Sequence, residues 1–106
     1  MAKGSQLTVY FTKDQKKGGQ GADTWIASLI EQTGIHGQTT VQASTGVGAD
    51  GRLHAARFFE LADEPVAITV VAEDEKVDAL IAALSAGGVK LFYTRIPIEY
   101  GYLGGD

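Results

Sequence analysis

The chain carries one pattern twice, and that repeat limits the folds open to it. From Gln6 to Lys13, Leu7, Val9 and Phe11 alternate with Thr8, Tyr10 and Thr12, which is the period of a strand with one apolar face. A polar, glycine-rich connection from Asp14 to Gly21 leads into a helix from about Asp23, whose carboxylate is placed to cap free backbone N–H groups. Trp25, Ile26, Leu29 and Ile30 have the spacing of one buried helical face, and Gly34 stands where a left-handed C-terminal cap is expected. Gln38 to Ala43 returns as a strand rich in threonine and valine. The second half follows the same order. Pro65 to Ala72 reads as a strand with proline at its first position, where proline is tolerated. Asp74 is the expected cap of a helix striped by Val77, Leu80, Ile81 and Leu84, Gly87 and Gly88 stop it, and Val89 to Ile98 is the last strand. Between the halves, Leu53 to Leu61 favours extended structure, because Leu53, Ala55, Arg57, Phe59 and Leu61 make no apolar helical stripe.

Two β-α-β units in 106 residues predict a single α+β domain spanning 1–106. The expected architecture is a ferredoxin-like βαββαβ sandwich, a four-stranded antiparallel sheet with two helices on one face. Two helices leave the other face of the sheet uncovered. Yet Val66-Ala67-Ile68-Thr69-Val70-Val71 is nearly continuous in apolar character, the pattern of a strand buried on both sides, and the last strand is apolar on both sides too. Self-association over the open face is the expected solution.

Charge and composition remove several functions. Nine basic and thirteen acidic side chains give a net charge of -4, with a pI near 5.0, which argues against a nucleic-acid surface. Tyr10, Phe92 and Tyr93, which could stack bases on an open sheet, are therefore expected in the core or an interface. No apolar run approaches the ~18–20 residues of a membrane span, and no apolar leader precedes the first strand, so the expected compartment is the cytoplasm. The absence of cysteine excludes disulfides, thiolate metal sites and thiol nucleophiles. The chain also has no asparagine to orient water as small ferredoxin-like acylphosphatases do. His36 falls in a turn and His54 in the long connection, with no serine in a nucleophile elbow. Asp50, His54 and Glu60 lie close in sequence but lack the spacing of a dedicated ligand set. The expectation is no catalytic residue and no metal site. Lys13-Asp14-Gln15-Lys16-Lys17 reads as a solvated connection, with the alternative of adding positive charge beside a phosphate.

The one motif with ligand chemistry is Gly46-Val47-Gly48-Ala49-Asp50-Gly51, which matches G-x-G-x-x-G. A dinucleotide fold is rejected on length, since only one βαβ unit fits after Gly46, and Arg52-Leu53-His54 opens a poor helix. What survives is a backbone able to approach an anion closely, with Arg52 and Arg57 near it in sequence. A second pair, Gly87-Gly88, precedes Lys90, another candidate phosphate contact. Hairpin and helix-cap punctuation would use the same glycines.

These segments together resemble the PII-like signalling proteins of bacteria, in particular PII-like domains long grouped as of unknown function. The resemblance is carried by Gly34-Ile35-His36-Gly37-Gln38-Thr39-Thr40-Val41, by Thr45 to Ala56, by Glu64-Pro65-Val66-Ala67-Ile68 and by Val71 to Val77, and it runs from about Leu7 to Gly101. It implies a compact homotrimer with sheets facing inward and nucleotides bound in clefts between subunits. It further implies that the connection from about 43 to 57 changes conformation and docks a partner. Gly46 and Gly48, with Val47 between them, match the loop-base positions whose backbone touches the nucleotide, and Thr39 matches a threonine near the adenine pocket. Lys90 matches the phosphate-binding lysine, preceded by Gly88, and Arg52 is expected to add charge. Nitrogen-regulatory PII proteins carry a lysine before the third strand where this chain has Glu64-Pro65, a longer phosphate loop, and C-terminal arginines where this chain runs Ile98 to Asp106. Those departures favour AMP, ADP or a cyclic nucleotide over tight ATP binding. The implied function is signal transduction by a nucleotide-binding regulator of a partner, a membrane transporter such as one for inorganic carbon uptake. The alternatives are a small enzyme with slow nucleotide hydrolysis and an interaction trimer without a ligand.

Overall fold

A computed structural model describes residues 2–36, 39–42 and 65–105. Their elements run β1 (Ala2–Thr12), β2 (Lys16–Lys17), β3 (Gln20–Gly21), α1 (Ala22–Gln32), β4 (Thr39–Gln42), β5 (Pro65–Ala72), α2 (Asp74–Ala86) and β6 (Phe92–Tyr100). Four strands form one sheet in the order β4-β5-β1-β6. Every neighbouring pair is antiparallel. This is the ferredoxin-like order expected from the repeat, with the first strand of each half at the centre.

Strand alternation sorts side chains into two layers. Leu7, Val9 and Phe11 of β1 stand opposite Val70, Ile68 and Val66 of β5. These six join Trp25, Ile26 and Ile30 of α1 and Val77, Leu80 and Leu84 of α2 in one buried cluster, with Leu29 and Ile81 packed against it. Both helices therefore cover the same face. The other face carries a smaller cluster of Tyr10, Ala67 and Phe92. The Tyr10 and Phe92 rings lie 5.7 Å apart and tilted. Next to it, Thr39, Thr69, Thr8 and Thr94 are register partners across all four strands. The Thr8 and Thr69 hydroxyls share a hydrogen bond of 2.9 Å. Ile96, partner of Gln6 on this face, is 49% exposed.

Several local expectations are corrected. β1 begins at Ala2 rather than Gln6, because residues 2–5 pair with Tyr100 to Pro97 of β6. The polar connection after β1 is a small hairpin, Lys16–Lys17 against Gln20–Gly21. Its turn residues Gly18 and Gly19 both have positive φ, the two-residue turn that glycine makes at no steric cost. Asp23 is not the cap of α1, since Gly21 holds that position with no side-chain cap and Asp23 lies within the first turn. Asp74 is likewise the first residue of α2, and Glu73 precedes it at the cap. The last strand starts at Phe92 rather than Val89. Gly34 does adopt the left-handed conformation after α1, with φ +79°. Leu53 to Leu61 lies outside the described residues.

Candidate functional site

One end of the sheet holds both roots of residues 43–64 and the turn with Gly88 and Lys90. The chain leaves β4 at Gln42, opposite Val66, and returns at Pro65, opposite Thr12, so both roots of residues 43–64 stand at this end. β6 starts here as well, with Phe92 opposite Tyr10. Before it, α2 closes at Gly87 with right-handed backbone, Gly88 turns with φ +75°, and the chain reaches Lys90. Gly87 is a close-approach position: a Cβ there would collide with the Trp25 ring. Gly88 has open space around it, so its glycine serves the backbone conformation alone.

Gln15 ties this turn to the start of α1. Its Nε2 donates to the Lys90 carbonyl at 2.8 Å, while its Oε1 accepts from the Thr12 backbone N–H at 2.7 Å. Its own carbonyl accepts from the Ala22 N–H at 2.9 Å, closing the hairpin at its base. The Lys90 side chain is exposed. Of the other predicted contacts, Thr39 is in β4 opposite Thr69, with β5 between it and β1. Gly46, Val47, Gly48 and Arg52 lie outside the described residues, as do Asp50, His54, Arg57 and Glu60. Sequence reasoning missed Gln15, whose role depends on two backbone groups far apart in the chain.

The opposite end of the sheet is organised by ion pairs. Arg95 donates through Nε to the Ser5 hydroxyl at 3.0 Å and through Nη1 to Asp78 at 2.6 Å. Ser5 in turn donates to Asp74 at 2.6 Å. The hydrogen bond with Asp78 raises the Arg95 pKa above its ordinary value, partly opposed by desolvation. Lys76 donates to the Gly34 carbonyl at 3.1 Å and pairs with Glu73 at 3.2 Å. Beside them is an open recess of about 360 Å³ bordered by His36, Lys76 and Tyr100. A smaller apolar cavity of about 110 Å³ lies between α2 and β6. Val89, within the turn before Lys90, is one of its walls. Among the described residues, no three acidic, histidine or cysteine side chains are grouped to hold a metal ion. No described helix is long and apolar enough to cross a membrane.

With this geometry in view, the family is decided by a match over residues 4–93 to DUF190, described as uncharacterized ACR. The chain belongs to the DUF190 family. Its fold is that of PII-like signalling proteins. A putative PII-like signalling protein from Thermus thermophilus matches with a TM-score of 0.61 at 12% identity, over 92% of this chain and 91% of that one. CPII from Thiomonas intermedia, bound to ADP, AMP and acetate, matches with a TM-score of 0.54 at 17% identity, over 94% of each chain. The same protein bound to ADP, AMP and bicarbonate, described as nitrogen regulatory PII-like, matches with a TM-score of 0.52 at 19% identity, over 92% and 89%. No curated protein matches the chain.

Proposed function

We propose that this DUF190 member is a cytoplasmic, nucleotide-responsive regulator that acts as a homotrimer and has no catalytic group. The observation that carries the reading is that both roots of residues 43–64 and the glycine turn that leads to Lys90 lie at the same end of the sheet. A ligand bound there touches both a fixed turn and the segment that would carry the signal. The ligand class follows from CPII, a protein of the same fold solved with ADP and AMP. An adenine nucleotide such as AMP or ADP sits in clefts between subunits. Gly46, Val47, Gly48 and Gly88 offer it backbone, Arg52 and Lys90 offer charge, and Thr39 lies by the base. The partly covered face with exposed Ile96 supports trimer formation, since burying an apolar sheet face is favourable at ~25 cal/mol per Å².

The nucleotide passes its signal by binding one state of residues 43–57 more tightly than the other, because only differential affinity moves such an equilibrium. The partner docked by that segment is a membrane transporter, as in inorganic carbon uptake. The test is a thermal-shift titration with AMP, ADP, ATP, cyclic AMP and cyclic di-AMP, with and without bicarbonate. A ligand that binds only the native state raises the melting temperature with concentration. Lys90→Ala weakens the binding by about 1–3 kcal/mol, the range for hydrogen bonds to charged groups. If no nucleotide shifts the transition at millimolar concentration while light scattering reports a trimer, the nucleotide reading fails.

A further inference from the structure

The hairpin after β1 is left unexplained by the reading above, although it stands at the same end of the sheet. We infer that the β2–β3 hairpin belongs to the ligand site, and that Lys16 and Lys17 supply positive charge to the outer phosphate of an adenine nucleotide carrying more than one. This rests on the proposed nucleotide site. Hydrogen bonds of Gln15 fix the hairpin's base. Gln15 accepts from Thr12 with its side chain and from Ala22 with its carbonyl, and donates to the Lys90 carbonyl. One side chain therefore holds the hairpin against the turn that presents Lys90.

The hairpin itself is short and sharply turned. Gly18 and Gly19 both take positive φ, so Lys16 and Lys17 sit on a two-residue ribbon rather than a loose loop. Successive residues of a strand point to opposite faces, so the two lysines project from opposite faces of the ribbon. Lys16 is exposed and Lys17 partly buried. Two acids lie among these lysines: Asp14 accepts from the Thr12 hydroxyl at 2.7 Å, and Asp23 lies over Gly21, the register partner of Lys16. Lys13, Lys16, Lys17 and Lys90 outnumber these two acids in the hairpin segment and the turn that Gln15 ties to it. Clustered like charges repel, and a bound polyphosphate relieves that repulsion. A guard for a strand edge would also use lysine, but it would have no use for the bond to the Lys90 carbonyl.

The experiment compares AMP and ADP affinities by calorimetry for the unmodified protein and for Lys16→Ala, Lys17→Ala and the double variant. Unfolding and light scattering establish that each variant keeps its fold and assembly. The double variant loses ADP affinity by about tenfold, in the range of a lost charge-assisted hydrogen bond, while AMP affinity moves less than about twofold. One single variant carries most of the loss, and its Lys→Arg counterpart retains ADP binding. An equal change for AMP and ADP, or no change for either, overturns the inference and leaves the nucleotide reading standing. If the unmodified protein binds neither nucleotide, the nucleotide reading itself fails and the inference falls with it.

Discussion

The two ends of the sheet handle charge in opposite ways. At the Ser5–Arg95 end, polar side chains are spent on one another: Ser5, Asp74, Asp78 and Arg95 form one network linking β1, β6 and α2. Separately, Lys76 bonds the Gly34 carbonyl after α1 and pairs with Glu73. At the Gln42–Pro65 end, the long-range polar tie is neutral, from Gln15 to the Lys90 backbone. Lys16 and Lys90 leave their charge in solvent. The first arrangement holds elements together. The second presents charge on a backbone held by other means, which is what a phosphate site requires.

That contrast can be broken first at its glycines. Gly4→Ala is expected to have the largest effect, a loss of about 3 kcal/mol, because the added Cβ meets the Ala72 backbone carbonyl and a paired strand cannot step aside. Urea unfolding at fixed protein concentration measures it, and a loss under ~1 kcal/mol means the strand end yields. Gly87→Ala at the other end is expected to cost less, about 2 kcal/mol, since the obstruction is the Trp25 side chain and alanine suits the right-handed backbone there. Trp25 fluorescence should change along with it. Equal costs for the two substitutions would erase the distinction between backbone and side-chain obstruction.

Smaller effects sharpen the comparison of charges. Arg95→Met is expected to cost about 1 kcal/mol, with part of that difference disappearing in high salt, because Asp74 and Asp78 are largely exposed partners. A salt-independent loss would shift the credit to the Ser5 hydrogen bond. The Lys16→Ala and Lys17→Ala double variant is expected to change stability least, within about 0.5 kcal/mol, although ADP binding falls. A large loss of stability there would make the hairpin lysines structural.

Local sequence carried much of the architecture. The alternation of Leu7, Val9 and Phe11 and the stripe of Val77, Leu80 and Leu84 need only a period and an apolar solvent-averse surface, so both identified their buried faces. Gly34 and Gly88 were legible because positive φ is a one-residue property. Asp23 and Asp74 misled because an acidic residue suits the first helical turn as well as the cap position. The hairpin at 16–21 was hidden because two-residue strands have too few positions to show alternation. Gln15 and Arg95 had no local signature at all.

By itself, then, the sequence determined two β-α-β units, their apolar faces, their stops and an acidic chain without cysteine. Those properties depend on neighbours within a few residues, where spacing and side-chain type act directly. Only the tertiary structure decided that the Lys90 turn is tied to the base of the lysine hairpin and that Ser5 meets Asp74 and Arg95. Those meetings depend on strand order and register, which are settled by packing the whole sheet against both helices and bring together residues as far apart as 15 and 90.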